Sequence, residues 1–355
     1  MKSSLNSEGL LRVLSIGAGA VGSYVGGSLD YFGNHVVYLE QPAVAPGLKA
    51  RGLRLKINQK EIHIPDPKIA TTLGQAISLG PFDVAIIALK AYDTFSILVS
   101  LTEYSDQIPP ILCLQNGVDN EITIAASLGA EKVIPGTLTS SIGRKAAGDI
   151  ILEKLRGIGV AAGHPLSTHL VDVLNQAGLK ARLYSQSSGM KWSKMLTNQV
   201  GNASSAILNM SPTQVFTHPE LFEIEMRQLR ETLAVMDAQG IRVVNLPGTP
   251  IRLLSFVARY LPDRLSRIFL TQAIGSGRGR KMPSFYLDLY SGCGKSEVVF
   301  LNGAVCEYGR RYNIPTPANR FLTDTLMSLT IGEIALDTYA HNHQKFVQDF
   351  KVAYP

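Results

Sequence analysis

Along the first half of the chain, short apolar runs alternate with longer segments whose apolar positions recur every three or four residues, so strands and helices take turns. RVLSIGAGAVG (residues 12–22) reads as a strand, a glycine turn and a helix start, and NHVVYLE (34–40) reads as a second strand. FDVAIIALK (82–90) is apolar at consecutive positions, which predicts a strand covered on both faces, as in an open parallel sheet. PPILCLQNG and KVIPGTLTSS supply further strands, with AAGDIILEK and RGIGVAAG expected as antiparallel additions. From about Ser185 the pattern becomes helical, through KWSKMLTNQVGNASSAIL, ELFEIEMRQLRETLAVMDAQG, SEVVFLNGAVCEYGRRYN and a final segment from Asn319. The expected organisation is an α/β domain over residues 1–185 and an all-α domain over 186–355.

One helical stretch is unusual. MKWSKMLTNQVGN (190–202) carries Lys194, Asn198 and Asn202 four residues apart. At about 100° per residue they share a face, opposite Trp192, Leu196, Val200, Ala203 and Ile207. Asparagine is a poor helix former, and an ordinary wet face favours Glu, Gln, Lys or Arg. Gly201 and Ser205 between the polar positions are expected to leave room above the stripe for another molecule. Lys191, one turn before Lys194 but off the stripe, is expected to matter much less.

The turn after the first strand contains Gly17-x-Gly19-x-x-Gly22. Between a strand and a helix this is the dinucleotide-binding arrangement of a Rossmann-type domain. The first glycine makes the tight turn, the second admits a pyrophosphate, the third lets helix and strand touch, and the helix N-terminus attracts the anion. Gly17, Ala18, Gly19, Ala20, Val21 and Gly22 are therefore cofactor-binding candidates. Glu40 ends the second strand, where an acidic side chain accepts hydrogen bonds from ribose hydroxyls and repels a 2′-phosphate. With Gln41 beside it, this favours NADH over NADPH, although Lys49, Arg51 and Arg54 follow closely and offset the repulsion.

Composition narrows the partners. The 355 residues are 45% hydrophobic and carry a formal net charge of +6, with the cations scattered rather than gathered in one long basic arm, so no nucleic-acid partner is expected. Cys113, Cys293 and Cys306 have neither disulfide nor metal-ligand spacing, and the histidines form no metal motif, so no metal and a reducing, cytoplasmic setting are expected. No signal-peptide core and no run of about 18 apolar residues is present, so no membrane partner is expected. The apolar helical second half makes a homodimer an open expectation.

Taken in order, the glycine turn, ALKAYDT, LQNGVDN and KWSKMLTNQVGN resemble the ketopantoate reductase (2-dehydropantoate 2-reductase) family over residues 12–320. The resemblance implies a Rossmann domain followed by a helical domain, and NADPH-dependent reduction of a 2-oxo acid in pantothenate biosynthesis. It places the catalytic lysine at Lys194 and substrate-binding asparagines at Asn198 and Asn202. It also assigns Asn116 and the Leu89–Lys90 segment to the cofactor and reaction, with Ser284 and Glu297 toward the substrate. Glu297 as a helix N-terminal charge, and Ser284 as a capping residue, stay open as alternatives. Departures are Gln41 where the family places an arginine for the 2′-phosphate, Val299 where it has an acid, and an extra residue between Asp288 and Glu297. The segment 258–283 is also longer and more basic, including Arg278, Arg280 and Lys281. Readings left open are a related dehydrogenase for another 2-oxo or 2-hydroxy acid, and a non-catalytic dinucleotide sensor.

Overall fold

The structure, a computed structural model, describes residues 9–277 and 281–354, so Arg278 and Arg280 lie outside the described residues. Two compact units emerge. The first runs to Lys191 and takes back Leu246–Thr249, and the second comprises Trp192–Asn245 and the chain from Pro250.

Among the described residues the first unit holds twelve strands: β1 Arg12–Ile16, β2 His35–Leu39, β3 Leu53–Ile57, β4 Lys60–Ile64, β5 Lys68–Ala70, β6 Val84–Ile87, β7 Ile111–Cys113, β8 Val133–Leu138, β9 Ser141–Ala146, β10 Asp149–Lys154, β11 Ile158–Ala161 and β12 Ala181–Tyr184. Eight of them form a sheet in the order β12-β11-β8-β7-β6-β1-β2-β5. All its pairings are parallel except β11 against β8. Alternate residues feed two cores: Val13, Val36, Val84 and Leu112 on one side, Leu14, Val37, Ala85 and Ile111 on the other. That period of two, apolar on both faces, is why β6 reads as a continuous apolar run. Strand order reverses at β1, between β6 and β2, and open α/β sheets bind ligands beyond the carboxyl ends of strands at such a switch point.

The remaining strands make a second sheet, β4-β3-β10-β9. This corrects the expectation for AAGDIILEK: β10 is no addition to the large sheet but pairs parallel with β3 and antiparallel with β9. The cause is a buried stripe. Leu53, Leu55, Ile150 and Leu152 pack into the same core as Val25 and Leu29 of the first helix, Ala20–Tyr31. At Gly27 a Cβ would stand 2.9 Å from Leu55 Cδ1, so glycine permits the approach.

The second unit is helical and is organised by the buried helix Pro219–Ala238. Its interior includes a connected set of amides. Asn319 Oδ1 accepts from Gln199 Nε2 at 2.8 Å and Asn302 Nδ2 at 3.0 Å, while Glu231 takes the Ala318 and Asn319 N–H groups at 2.8 and 2.9 Å. Glu231 thereby satisfies the start of helix Pro317–Thr330, where orphan donors and the helix dipole favour a carboxylate. No helix among the described residues is long and apolar enough to cross a membrane.

Candidate active site

In the first unit the turn after β1 has the geometry its glycines require. Gly17 has φ +94°, and a Cβ on Gly22 would lie 1.9 Å from the Gly17 carbonyl oxygen. Nothing lies within 4 Å of a Cβ built at Gly19. The space over Gly19 and the first amides of helix Ala20–Tyr31 fit a dinucleotide pyrophosphate, since no protein atom fills the cradle.

Glu40 is already aimed at this turn. Its Oε2 accepts from Ala18 N at 2.7 Å and its Oε1 from Gln41 N at 2.9 Å, which fixes the carboxylate at the end of β2. A carboxylate has about four lone-pair sites, so capacity remains for hydroxyl donors. Arg51 is committed elsewhere, donating to the Ala147 carbonyl at 2.9 Å.

Leu89 and Lys90 follow β6, and the Leu89 side chain covers Gly17. Asn116 follows β7 in a turn completed by Gly117 at φ +96°. Hydrogen bonds tie the two segments together. Gln115 Nε2 donates to Thr94 Oγ1 at 2.8 Å and to the Lys90 carbonyl at 3.3 Å; Thr94 donates to Asn120 Oδ1 at 3.1 Å, and Asn120 Nδ2 to the Asn116 carbonyl at 2.5 Å.

In the second unit, the stripe departs from its expected form. Helix Ser187–Gln199 carries Lys194 and Asn198, but the helix ends before Asn202. Gly201 adopts φ +63° and gives its N–H to buried Glu225 at 2.7 Å, and Asn202 opens a new helix, Asn202–Leu208. The room expected above Gly201 is taken by protein, because a Cβ there would stand 3.1 Å from Pro212 Cβ, and Ser205 is fully buried. The stripe is no solvated face either: Asn198 and Asn202 are buried and Lys194 is half-buried.

Asn202 joins three segments. Its Oδ1 accepts from Phe285 N at 3.1 Å, and its Nδ2 donates to the Asn198 carbonyl at 2.9 Å and to Ser284 Oγ at 3.3 Å. Asn198, Asn202 and Ser284 are thus brought together at the start of helix Ser284–Tyr290, where Ser284 is the first helical residue and Pro283 the cap. Glu297 begins a 3-10 turn capped by Ser296 and is 1% exposed, unlike an ordinary surface charge at a helix start.

Lys191 lies off the stripe as expected, but it is buried and paired. Its ammonium is buried and donates to the carbonyls of Gln115 at 2.8 Å and Gly136 at 3.2 Å, while pairing with Glu121 Oε1 at 2.7 Å. Burial opposes its charge, but the adjacent Glu121 carboxylate outweighs this and raises the pKa. Removing one partner of such a pair costs about 3–5 kcal/mol, so substitution here is no neutral control. The sequence holds one signal: four residues on from Lys191 is Met195, so Lys191 lies on an apolar face.

Comparison with known proteins gives the family of the chain. The family model "Ketopantoate reductase PanE/ApbA" matches residues 13–162, and its C-terminal counterpart matches residues 187–330. The chain belongs to the ketopantoate reductase family. As a member it is an oxidoreductase that works with a nicotinamide dinucleotide. Among its relatives, the 2-dehydropantoate 2-reductase of Archaeoglobus fulgidus is 26% identical, over 90% of this chain and 98% of the relative. That of Lactococcus lactis subsp. lactis is 25% identical over 90% and 97%. A PanE/ApbA family ketopantoate reductase structure from Ralstonia eutropha JMP134 superposes with a TM-score of 0.76 at 22% identity, covering 90% of this chain and 99% of that one. D-Mandelate dehydrogenase in complex with NADH and anilino(oxo)acetate gives 0.73 at 22% identity, covering 90% and 98%. These two likenesses extend the family's fold across both units.

Proposed function

We propose that the protein reduces a 2-oxo acid to the 2-hydroxy acid, with 2-dehydropantoate as substrate and NADH as preferred reductant. The observation that carries the reading is the pairing of Gly19, where no protein atom lies within 4 Å of a built Cβ, with the Glu40 carboxylate fixed at the same turn. Both belong to a chain whose family match spans the two units.

The dinucleotide, when bound, supplies a hydride. Gly17 and Ala18, whose N–H groups go to the Leu39 carbonyl and Glu40, shape the turn, and the backbone N–H groups of Gly19, Ala20, Val21 and Gly22 would hold its pyrophosphate; Glu40 and Gln41 would hold its adenosine ribose, with Leu89, Lys90 and Asn116 at the ends of β6 and β7 toward its other end. Lys194 as an ammonium stabilises the negative charge that develops on the substrate's C2 oxygen and then gives that oxygen a proton. Asn198 and Ser284 orient the carboxylate end of the substrate, Asn202 acts through them by holding both, and Glu297 accepts a hydrogen bond from a substrate hydroxyl. Asn202 spends its two amide hydrogens on the Asn198 carbonyl and Ser284 Oγ, so the Ser284 hydroxyl arrives with its geometry already set.

A second reading, reduction of a different 2-oxo acid, is favoured by Val299. This residue, where the family has an acid, is 44% exposed and removes a polar anchor two positions after Glu297. The test is a steady-state panel of 2-oxo acids, 2-dehydropantoate among them, with NADH and NADPH. Highest kcat/KM for 2-dehydropantoate with NADH supports the first reading; another acid ahead of it supports the second, and no turnover of any rejects both.

A further inference from the structure

Beyond the last paired residues of β7 and β8, Cys113 and Pro135, Pro135 has no N–H to extend the ladder. The Lys191 ammonium takes over there, bridging the Gln115 carbonyl after β7 and the Gly136 carbonyl on β8. Its third direction is held by Glu121 on helix Asn120–Leu128. An apolar side chain would fill this volume without the desolvation penalty that a buried ion pair carries. What the ammonium adds is direction: two carbonyl acceptors and one carboxylate charge fixed around one nitrogen.

Those acceptors lead to residues assigned to the reaction. Gln115, whose carbonyl Lys191 holds, uses its own side chain to hold the Lys90 carbonyl and Thr94. Thr94 binds Asn120, and Asn120 holds the carbonyl of Asn116. We propose that Lys191 and Glu121 form a positioning pair, which sets the turns carrying Lys90 and Asn116 at the reacting end of the dinucleotide site. The proposal rests on the reading above for what those turns hold. It differs from a packing role because the same contacts fix two turns that lie on neighbouring strands.

The test uses Lys191→Met, Glu121→Gln and the double variant in the full-length protein. Each single change strands a buried charge and lowers Tm; the double change removes both charges and restores most of the loss. The dinucleotide Kd by calorimetry and kcat/KM are expected to stay about tenfold or more worse in the double variant, because misplaced groups are costly even when the fold is sound. Amide hydrogen exchange over residues 114–120, which needs no ligand, is expected to quicken. A double variant with wild-type exchange in that turn and wild-type Kd overturns the proposal. Should the Lys191 variants fail to fold, Thr94→Val cuts the same network without touching a charge. It is expected to raise Kd while lowering Tm less than either single charge change does, and unchanged Kd counts against the proposal. Quickened exchange with a wild-type protein that binds no dinucleotide would remove the functional reading and leave the positioning of the turns standing.

Discussion

Gly19 is the position where one side chain separates folding from binding. Open space surrounds a Cβ there and the backbone has φ −68°, so Gly19→Val is expected to fold with unchanged circular dichroism and Tm. The same side chain occupies the pyrophosphate position, so calorimetry should register no dinucleotide binding; retained affinity would make the turn purely structural. At Glu40 the expectation concerns charge. Its carboxylate can accept from two ribose hydroxyls but repels a phosphate, whereas arginine bonds a phosphate bidentately. Each effect is worth on the order of 1–3 kcal/mol, a preference of roughly tenfold or more. Wild-type kcat/KM should therefore favour NADH, and Glu40→Ala with Gln41→Arg should reverse the order. A wild-type preference for NADPH would point to Lys49 or Arg54 as the phosphate partner. Glu40 was legible in the sequence because the end of the second strand fixes its place. Lys191 was not, because its acceptors Gln115 and Gly136 lie 76 and 55 residues away along the chain.

Among elements, the helix bearing Lys194 shows where periodicity stops informing. The apolar face opposite the stripe reads correctly: Trp192, Leu196, Val200, Ala203 and Ile207 are all buried. The break at Gly201 does not, because four-residue spacing continues straight through it and the cause, buried Glu225, comes 24 residues later. Gly201→Ala is expected to destabilise by about 1–3 kcal/mol, from strain at φ +63° and contact with Pro212. Tm should fall roughly 2–4 °C for each kcal/mol. Because Gly201 precedes Asn202, kcat/KM should fall as well; an unchanged Tm would mean the left-handed geometry is unnecessary.

At the scale of the whole molecule, the parallel sheet was legible because buried strands announce themselves as unbroken apolar runs, and the glycine turn marked their ligand-binding end. The second sheet was harder to see. Its strands β3 and β4 are five residues each, half polar, and joined through Asn58 at φ +56°, so their apolar stripe emerges only against the first helix. The cations are spread along the chain, but outside residues 251–281 the acids balance them; that segment, with seven cationic side chains against one aspartate, carries the whole formal excess of +6. The proposed chemistry rests most directly on Lys194. The decisive measurement is oxidation of the reduced dinucleotide on mixing with 2-dehydropantoate, compared between wild type and Lys194→Ala at equal cofactor occupancy. The account predicts turnover by wild type and a loss of at least ~100-fold in kcat in the variant with little change in cofactor Kd, as expected for a general acid. Equal turnover by the two proteins would contradict it.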